Sequence, residues 1–491
     1  MPGKLHMNLF DQYEPVIGLE IHLQLATKSK AFCADDASFG AAPNTHVSAI
    51  SLGHPGTLPR LNEKQVEYAV RLGLALGCEI NRTNYFDRKN YFYTDLPKGY
   101  QITQDKVPVC VGGSLNILVN GERRNIRLHH IHMEEDAGKS IHDQDPENSL
   151  IDLNRAGVPL LEIVTEPDLH SAGEVSAFMA AMRQLARYLE ISDGNMQEGS
   201  MRCDVNVSVR KKGSMTLGER CEIKNMNSMR FARQAIEFDF KRQVALLESG
   251  QQVVRETMNF DPATGTTAPM RDKESAHDYR YFPEPDLPPV SLSEDWVAEI
   301  KASLPALPNE LFEKFTSEFQ LSGYDTELLT AEREKAMFFS RLASAGPGDA
   351  KFYKAAANLI INKITPWLSE TGKAITDFPV PLPQLAGFIQ LIESGKVSAS
   401  IAYQRLFPAL VESPGTSPLD LAQSLHLVQS ADSGFLEKLV EDVLSENPGK
   451  VAEYQKGKKG LIGFFMGEVM KASKGKAEPK AAKEMIVKRL S

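Results

Sequence analysis

A change in hydrophobic periodicity constrains this chain more than any other feature of its sequence. Before a proline-rich stretch, residues 281–289, many segments show the apolar alternation that is typical of strands. After it, segments such as 325–345 and 355–368 have the apolar spacing of helices, and strand patterns stop. Prolines at this density cannot sustain a helix or a central strand, so we interpret the stretch as a rigid connector. Strands followed by helices predict an α+β fold.

Two breaks define the predicted domains. The connector ends a strand-rich first domain, residues 1–292, and a helical domain, residues 293–412, follows it. A second break, at Glu-Ser-Pro-Gly-Thr-Ser-Pro, separates a small helical tail, residues 413–491. A chain of 491 residues is long enough for three domains of ordinary size.

Cysteine usage and hydropathy indicate the compartment. The five cysteines are scattered without a Cys-x-x-Cys pair, and residues 1–15 contain no apolar signal core. We therefore expect reduced thiols and a cytoplasmic protein. No apolar run is long enough to span a bilayer, so we expect no membrane partner.

The net charge is distributed unevenly. Residues 450–491 carry ten Lys and one Arg against four Glu, which is +7, and since the whole chain carries −9 the remainder carries −16. A basic tail on an acidic body favours a polyanionic partner for the tail. The alternative, a solvated lysine-rich helix surface, fits the charge equally well.

Two polar segments predict a cation site. Residues 17–25 alternate strictly, so Glu20 and His22 share one face of a strand whose other face is apolar. Residues 129–136 contain three histidines and three acids, and in an extended chain Glu134 and Glu135 face opposite sides. Crowded acids repel unless a cation or basic groups neutralise them, and a divalent ion that prefers oxygen ligands is the simplest partner. Taken alone, the first segment also fits a solvent-facing strand surface.

Two further segments extend this polar character. Arg202 and Asp204 alternate with apolar residues, and Glu222 and Lys224 precede a helix that Ser228 can cap. Each face alone is compatible with a structural hydrogen-bond network. Four such faces in one region favour a polar catalytic cleft.

Two loop segments offer phosphate ligands. Residues 86–93 interleave acidic, basic and aromatic side chains, including Arg88 and Lys89, and Arg155 precedes the apolar run 158–164. Arginine and lysine there suit phosphate oxygens, although structural salt bridges are an open alternative. The tetrapeptide Ala-Gly-Lys-Ser at 137–140 lacks the glycine spacing of a phosphate-binding P-loop.

Several long segments together resemble the B subunits of glutamyl-tRNA(Gln)/aspartyl-tRNA(Asn) amidotransferases, the GatB family, along nearly the whole chain. The tail from residue 413 is similar to a YqeY-type helical module, most clearly at GLIGFFMG from Gly460. The other matching segments are VIGLEIHLQL from Val16, PGTLPRLN from Pro55, FDRKNYFYTDLPKGYQITQ from Phe86, HMEEDAGKS from His132, DLNRAGVPLLEIVTEPD from Asp152, EGSMRCDVNVSVR from Glu198, EIKNMNSMR from Glu222 and DYRYFPEPDLPPV from Asp278.

The resemblance implies a fold and an activity. It implies a cradle-like first domain similar in fold to glutamine synthetase, followed by an all-α domain and a tRNA-binding tail. ATP with Mg²⁺ would phosphorylate the side-chain carboxylate of glutamate or aspartate esterified to tRNA, and ammonia would then displace the phosphate.

Partners also follow from the resemblance. An amidase-type glutaminase subunit would supply the ammonia through a tunnel, and a small third subunit would complete a heterotrimer. The misacylated tRNA is the macromolecular substrate, and the cognate non-discriminating aminoacyl-tRNA synthetase is a further candidate partner. Whether Glu-tRNA(Gln), Asp-tRNA(Asn) or both are used stays open.

Site residues carry over by position. The resemblance implies Mg²⁺ ligation by His22, Glu135 and Glu222, with Glu20 close by. It implies that Lys89, Asp204 and Glu135 line the end of the ammonia path, where a proton must leave ammonium. We assign contacts with ATP to the basic residues of the same segments, which are Arg88, Arg155, Arg202 and Lys224.

One departure concerns zinc. Some relatives carry a zinc knuckle built from Cys-x-Cys and Cys-Pro-x-Cys, whereas this chain reads Cys33-Ala34-Asp35 and Ser48-Ala49-Ile50-Ser51. One cysteine cannot form a tetrahedral thiolate site, so we expect no structural zinc.

Two other functions compete with this interpretation. A scaffold that only binds tRNA needs no clustered carboxylates, and a stand-alone metal hydrolase needs no basic, RNA-facing tail.

Overall fold

The computed structural model describes residues 9–142, 144–270, 279–428, 433–473, 477 and 479–490. Residues 1–8, Asp278 of the quoted segment, and Lys474, Lys476, Glu478 and Ser491 of the tail lie outside the described residues. The chain forms two compact units, Met1–Asn309 and Glu310–Ser491.

The strands of the described residues all lie in the first unit. They are β1 (Tyr13–Gln24), β2 (Glu79–Ile80), β3 (Thr83–Asn84), β4 (Asp87–Asn90), β5 (Tyr100–Thr103), β6 (Cys110–Val111), β7 (Ser114–Val119), β8 (Glu122–Glu135), β9 (Lys139–Ile141), β10 (Leu150–Asp152), β11 (Pro159–Thr165), β12 (Met201–Lys211), β13 (Cys221–Met226), β14 (Glu256–Asp261), β15 (Thr266–Pro269), β16 (Phe282–Pro283) and β17 (Val290–Ser291).

Helices complete the first unit and make up the second. They are α1 (Glu63–Ala75), α2 (Ala172–Tyr188), α3 (Met229–Glu248), α4 (Glu294–Ala302), α5 (Pro308–Ser317), α6 (Gly323–Thr330), α7 (Arg333–Ser344), α8 (Ala350–Leu359), α9 (Thr365–Thr371), α10 (Leu382–Glu393), α11 (Ala399–Ile401), α12 (Phe407–Glu412), α13 (Pro418–Ser424), α14 (Ser433–Glu446), α15 (Pro448–Gln455), α16 (Ile462–Ala472) and α17 (Pro479–Leu490).

One ten-stranded sheet organises the first unit. Its order is β15-β14-β13-β12-β1-β11-β8-β6-β2, and β7 also pairs with β8. The pairs are antiparallel except β13 with β14, which is parallel. The first of the described strands, β1, therefore lies between β11 and β12, far from either edge.

The two faces of β1 have different environments, as its alternation predicts. Ile17, Leu19, Ile21 and Leu23 are at most 1% exposed and belong to the main hydrophobic core, together with apolar residues of α2 and α3. Burying one such side chain stabilises the fold by roughly 1.5–3 kcal/mol. The opposite face carries Glu20, His22 and Gln24, so the helices cover one face of the sheet and leave polar groups on the other.

Side-chain caps begin α2 and α3 at defined residues. The Ser228 hydroxyl accepts a hydrogen bond from Phe231 N at 3.1 Å, which confirms the predicted cap of α3. Ser171 caps α2 in the same way through Glu174 N. Each cap satisfies an amide that would otherwise have no partner in the helix.

The proline-rich stretch is more than a connector. Its short strand β16 pairs with β4 of the first unit, and β17, which follows directly after the stretch, pairs with β3. Leu287 is also buried in the first core, as are Val297 and Ile300 of α4. Prolines are tolerated in such short edge strands, which explains why the segment packs here despite its composition. The first compact unit therefore extends to Asn309, beyond residue 292, where the sequence analysis placed the end of the first domain.

The second unit is helical, as predicted. Its C-terminal part contains a hydrophobic cluster of its own, to which α14, α16 and α17 contribute Val440, Phe465 and Ile486, each fully buried. The separate cluster is compatible with a tail domain beginning at residue 413, and that boundary stays a prediction.

Two coarse predictions can be compared with this architecture. A mixed α/β sheet unit followed by a helical region agrees with the predicted α+β class. Among the described residues, no helix combines the length and the apolar character needed to cross a membrane.

Candidate active site

The register of the central strands lines up four polar residues across the sheet. His22 of β1 lies opposite Glu162 of β11 on one side and Arg202 of β12 on the other. Glu162 in turn lies opposite His132 of β8. Residues directly opposite one another point to the same face of a sheet, so these side chains share the face that the helices leave open.

Three of the side chains near this row form a group that can hold a cation. His22 Nε2 lies 3.2 Å from Glu162 Oε2 and 3.8 Å from Glu134 Oε1. One ligand atom from each of His22, Glu134 and Glu162 can be chosen so that all three lie within 4.8 Å of one another. His132 Nε2 adds a second imidazole, 3.6 Å from a carboxylate oxygen of both acids.

The carboxylates of this group attract positive charge. Burial alone would lower the pKa of His22, but a hydrogen bond to Glu162 and the charges of Glu162 and Glu134 outweigh burial and raise it to about 9. Burial likewise opposes the ionised form of Glu162, but the charges of His132 and His22 hold its pKa well below the usual range. The two carboxylates thus attract positive charge, which protons on the histidines supply here; a divalent cation, for which two carboxylates and a neutral imidazole are suitable donors, would replace the proton of His22.

A ladder of imidazoles leads away from the group. His132 Nδ1 lies 3.1 Å from His130 Nε2, and His130 Nδ1 lies 2.6 Å from His129 Nδ1. Burial and the neighbouring His132 and His129 lower the pKa of His130 to about 4. His130 is therefore neutral at pH 7, whereas the charge of Glu162 helps to raise the pKa of His132 against burial.

Glu135, which the resemblance assigns to the metal, lies elsewhere. Its carboxylate pairs with Lys98 and accepts a hydrogen bond from Ile102 N at 2.9 Å. Glu134 and Glu135 point to opposite sides of β8, as an extended chain requires. The structure thus brings Glu134, and not Glu135, to His22.

Glu20, Asp204 and Glu222 lie farther along the open face. Glu20 is opposite Asp204, and its carboxylate accepts a hydrogen bond from Asn206 Nδ2 at 2.9 Å. Burial and the charge of Glu162 raise the pKa of Glu20, although Asn206 opposes this. Glu222 pairs with Lys224 at 3.1 Å and accepts a hydrogen bond from Thr257. None of the three joins the group of His22, Glu134 and Glu162.

The predicted basic residues differ in what they contact. Lys89 lies over the Tyr279 ring at 4.8 Å, and the charges of Glu134 and Glu162 raise its pKa although burial alone would lower it. Arg202 forms an ion pair with Asp136, 2.9 Å from Nη1 to Oδ2.

The other two predicted arginines, Arg88 and Arg155, bind oxygen atoms of the protein. Arg88 binds the buried Glu284 through two hydrogen bonds of 2.8 Å and contacts Asp286 at 3.1 Å. Arg155 donates to the carbonyl oxygens of Ala137 and Gly138. These contacts are the structural salt bridges and loop hydrogen bonds that pattern alone left open.

The positions of the zinc knuckle are linked by hydrogen bonds. Ser51 Oγ donates to Asp35 Oδ2 at 2.6 Å and accepts from Ser48 N at 2.9 Å. Burial raises the pKa of the Cys33 thiol to about 11, which disfavours the thiolate that zinc requires.

Glu134, Glu162 and His132 are the residues that analysis of the sequence did not assign to the site. The dense segment 129–136 pointed to this strand, but its pattern does not say which of its acids lies beside His22. The only signal for Glu162 was one acidic residue within the apolar run 158–164.

Comparison with known proteins agrees with the resemblance. A family model described as the GatB/GatE catalytic domain matches residues 15–298, and one described as the GatB domain, of the YqeY type, matches residues 338–490. Relatives named as the B subunits of aspartyl/glutamyl-tRNA(Asn/Gln) amidotransferases occur in Geobacter sulfurreducens and Myxococcus xanthus. The first is 48% identical over 97% of this chain and 99% of its own length, and the second is 47% identical over 97% and 98%. The chain therefore belongs to the GatB family of amidotransferase B subunits.

Proposed function

We propose that this chain activates the side-chain carboxylate of glutamate or aspartate esterified to tRNA, using ATP and Mg²⁺, and then transfers ammonia to it. The product is Gln-tRNA(Gln), Asn-tRNA(Asn) or both. The observation that carries the proposal is the group of His22, Glu134 and Glu162 on the open face of the sheet. A protein that only bound tRNA would not need a buried and a half-buried carboxylate held together in this way.

The chemistry explains why such a group is required. A carboxylate oxygen attacks the γ-phosphorus of ATP, ADP leaves, and an acyl phosphate forms. The nitrogen of ammonia then attacks the carbonyl carbon, and inorganic phosphate leaves with the former carboxylate oxygen. Because the first step brings two anions together, positive charge must be supplied where they meet.

Different residues of this chain would supply the positive charge. His22, Glu134 and Glu162 would hold Mg²⁺, which supplies positive charge for the triphosphate when it is bound. Lys89 keeps its proton because Glu134 and Glu162 raise its pKa, so it would add a positive charge beside the reacting carboxylate. Arg202 is anchored by Asp136 and faces the same cleft next to His22.

Glu135 and Asp204 keep the roles that the resemblance implies, at the end of the ammonia path. Glu135 pairs with Lys98 in a separate cavity, and Asp204 lies on the open face opposite Glu20. Either carboxylate would accept the proton that ammonium loses before it can attack.

The names of the relatives support a multi-subunit enzyme, because each relative is named as one lettered component of an amidotransferase. We propose an ATP-dependent carbon–nitrogen ligase that uses glutamine as its amido donor. An amidase-type glutaminase subunit and a small third subunit would complete a cytoplasmic heterotrimer, with the cognate synthetase as a further partner. A cradle similar to glutamine synthetase would account for a polar cleft on a sheet backed by helices.

Transfer of labelled oxygen tests the acyl phosphate directly. The assembled complex is given glutamyl-tRNA(Gln) whose side-chain carboxylate carries ¹⁸O, with glutamine and Mg·ATP. The proposal requires one labelled oxygen in the released phosphate for each amide formed. The same complex with His22→Ala should lose the transfer but retain glutaminase activity in the partner. Amide formation without label in phosphate, or full activity of the His22→Ala complex, would refute the proposal.

A further inference from the structure

The C-terminal end of β8 has a neighbouring strand on one edge only. β11 pairs with one edge of β8 as far as Glu135. On the other edge, β6 pairs with His130 and Ile131, and no strand of the described residues pairs with residues 132–135 beyond them. This stretch is buried and contains Glu134 of the candidate metal group. Its backbone amides and carbonyls on the second edge therefore need partners other than a strand.

Two glutamine side chains bind this second edge. Gln104 Oε1 accepts a hydrogen bond from Met133 N at 3.0 Å, and Gln101 Nε2 donates to Glu135 O at 2.8 Å. Met133 and Glu135 are alternate residues of the strand, so these two backbone groups point to the same edge. The backbone of β5 is paired with β4, and β5 reaches β8 through side chains. The two amides thus occupy the place of a neighbouring strand.

A third glutamine contacts the residue between these two. Gln65 of α1 is fully buried, and its Nε2 donates to Glu134 O at 2.9 Å. A glutamine amide offers both a donor and an acceptor, so it can bind either kind of backbone group. Each of the residues 133–135 therefore has one backbone group bound by a glutamine. We call Gln65, Gln101 and Gln104 the glutamine clamp.

The residues between Gln101 and Gln104 contact the two acidic side chains. Thr103 Oγ1 donates to Glu134 Oε2 at 3.4 Å, and Ile102 N donates to Glu135 Oε1 at 2.9 Å. Four consecutive residues of the chain thus bind the end of β8, two through its backbone and two through its carboxylates. This arrangement fixes the backbone and the side chains of β8 together.

A fixed backbone matters here because the two acids are adjacent. Successive side chains of a strand point to opposite faces, so a slip of one residue would bring Glu135 to His22 and turn Glu134 away. Pairing with β11 on one edge leaves the other edge free to move unless it is bound. We infer that the glutamine clamp positions the end of β8, so that Glu134 and not Glu135 reaches His22. This inference rests on the proposed role of the candidate metal group.

Removing one amide at a time tests the inference. Gln65→Met and Gln101→Met keep an unbranched side chain of similar length but remove the donor. Loss of a group that orients a metal ligand typically weakens metal binding roughly 10- to 100-fold, so we expect Mn²⁺ to bind the assembled complex about tenfold more weakly in each variant. Electron paramagnetic resonance of Mn²⁺ measures this without turnover. Excess Mg²⁺ should restore kcat for tRNA-dependent ATP hydrolysis, because all the ligands are still present.

Gln243→Met is the matched control. Gln243 of α3 is also fully buried, and its Nε2 donates to Val207 O in the interior of β12 at 3.1 Å. Because this amide also donates to Asp239, its loss should lower the urea midpoint of unfolding at least as much as Gln65→Met does. The Mn²⁺ affinity of Gln243→Met should nevertheless equal that of the unaltered complex.

Hydrogen exchange supplies a measurement that needs no metal. In the metal-free complex, backbone amides of residues 129–136 should exchange faster in Gln65→Met and Gln101→Met than in the unaltered protein, and at the original rate in Gln243→Met. Gln101 is partly accessible at 7% exposure, so its variant keeps the test available if Gln65→Met does not fold.

The outcomes separate the inference from the proposed function. Unchanged Mn²⁺ affinity in the folded clamp variants overturns the inference, and so does an equal loss of affinity in Gln243→Met, which would reflect stability alone. If Glu162→Gln weakens Mn²⁺ binding but the clamp variants do not, the metal group stands and only the inference fails. If Glu162→Gln also binds Mn²⁺ as the unaltered complex does, the metal group that carries the proposed function has failed.

Discussion

Replacing Glu162 by Gln tests the candidate metal group most directly. The substitution keeps the size of the side chain but removes one of two carboxylates whose oxygens lie within 4.8 Å of the other candidate ligand atoms. Two unit charges about 4 Å apart interact by about 4 kcal/mol at an effective dielectric constant of about 20. A divalent ion interacts more strongly, but water and neighbouring groups recover part of the loss, so we take about 4 kcal/mol as the net cost. Since 1.4 kcal/mol is a factor of ten, Mn²⁺ or Mg²⁺ should bind roughly 1000-fold more weakly.

Two assays measure this effect. Electron paramagnetic resonance of Mn²⁺ added to the complex gives the affinity without turnover, and a Mg²⁺ titration of tRNA-dependent ATP hydrolysis gives it during catalysis. Glu166→Gln, the same chemical change just beyond the end of β11, is the control. It should leave the Mn²⁺ affinity and the Mg²⁺ dependence of ATP hydrolysis unchanged. If Glu162→Gln binds Mn²⁺ within threefold of the unaltered complex, the assignment of this group as the metal site is wrong.

Three further predictions concern other parts of the chain. Deleting residues 413–491 should raise the KM for charged tRNA and flatten its salt dependence, because the +7 at residues 450–491 is lost; equal affinity and an equal salt slope would leave the tail a solvated surface. Metal analysis of the purified protein should find no stoichiometric zinc, and about one tightly bound zinc per chain would contradict the argument from Ser48 and Ser51. Arg88→Ala should lower the free energy of unfolding in urea by about 3–5 kcal/mol, since the Glu284 side chain, 0% exposed, loses its partner; an unchanged midpoint would show that the pair is dispensable.

Local patterns in the sequence predicted local structure well. Strict alternation placed Ile17, Leu19 and Ile21 in the core and His22 on the open face, and a serine before an apolar helix predicted the cap at Ser228. These features depend on neighbours in the chain, so a single sequence contains what is needed to predict them.

Contacts between distant segments were harder to predict. Alternation shows that Glu134 and Glu135 face opposite ways, but only the pairing of β8 with β11 and of β11 with β1 decides which of them meets His22. Glu162 could not be singled out in the sequence, because one acidic residue within an apolar run does not change the pattern that predicts a buried strand. The partners of Arg88 lie almost two hundred residues away in the chain. The residues around Arg88 therefore do not predict its ion pair with Glu284.

The position of β1 also matters for how the chain is made. A ribosome produces β1 before the other described strands, and its two neighbours, β11 and β12, end only at Thr165 and Lys211. At 5–20 residues per second the nascent strand waits roughly 10–40 s before the second neighbour exists. During that time its apolar face and both rows of backbone amides and carbonyls lack their final partners, and such a strand readily pairs with other chains. Newly made copies on one messenger therefore offer one another an unpaired β1 until β12 has been made.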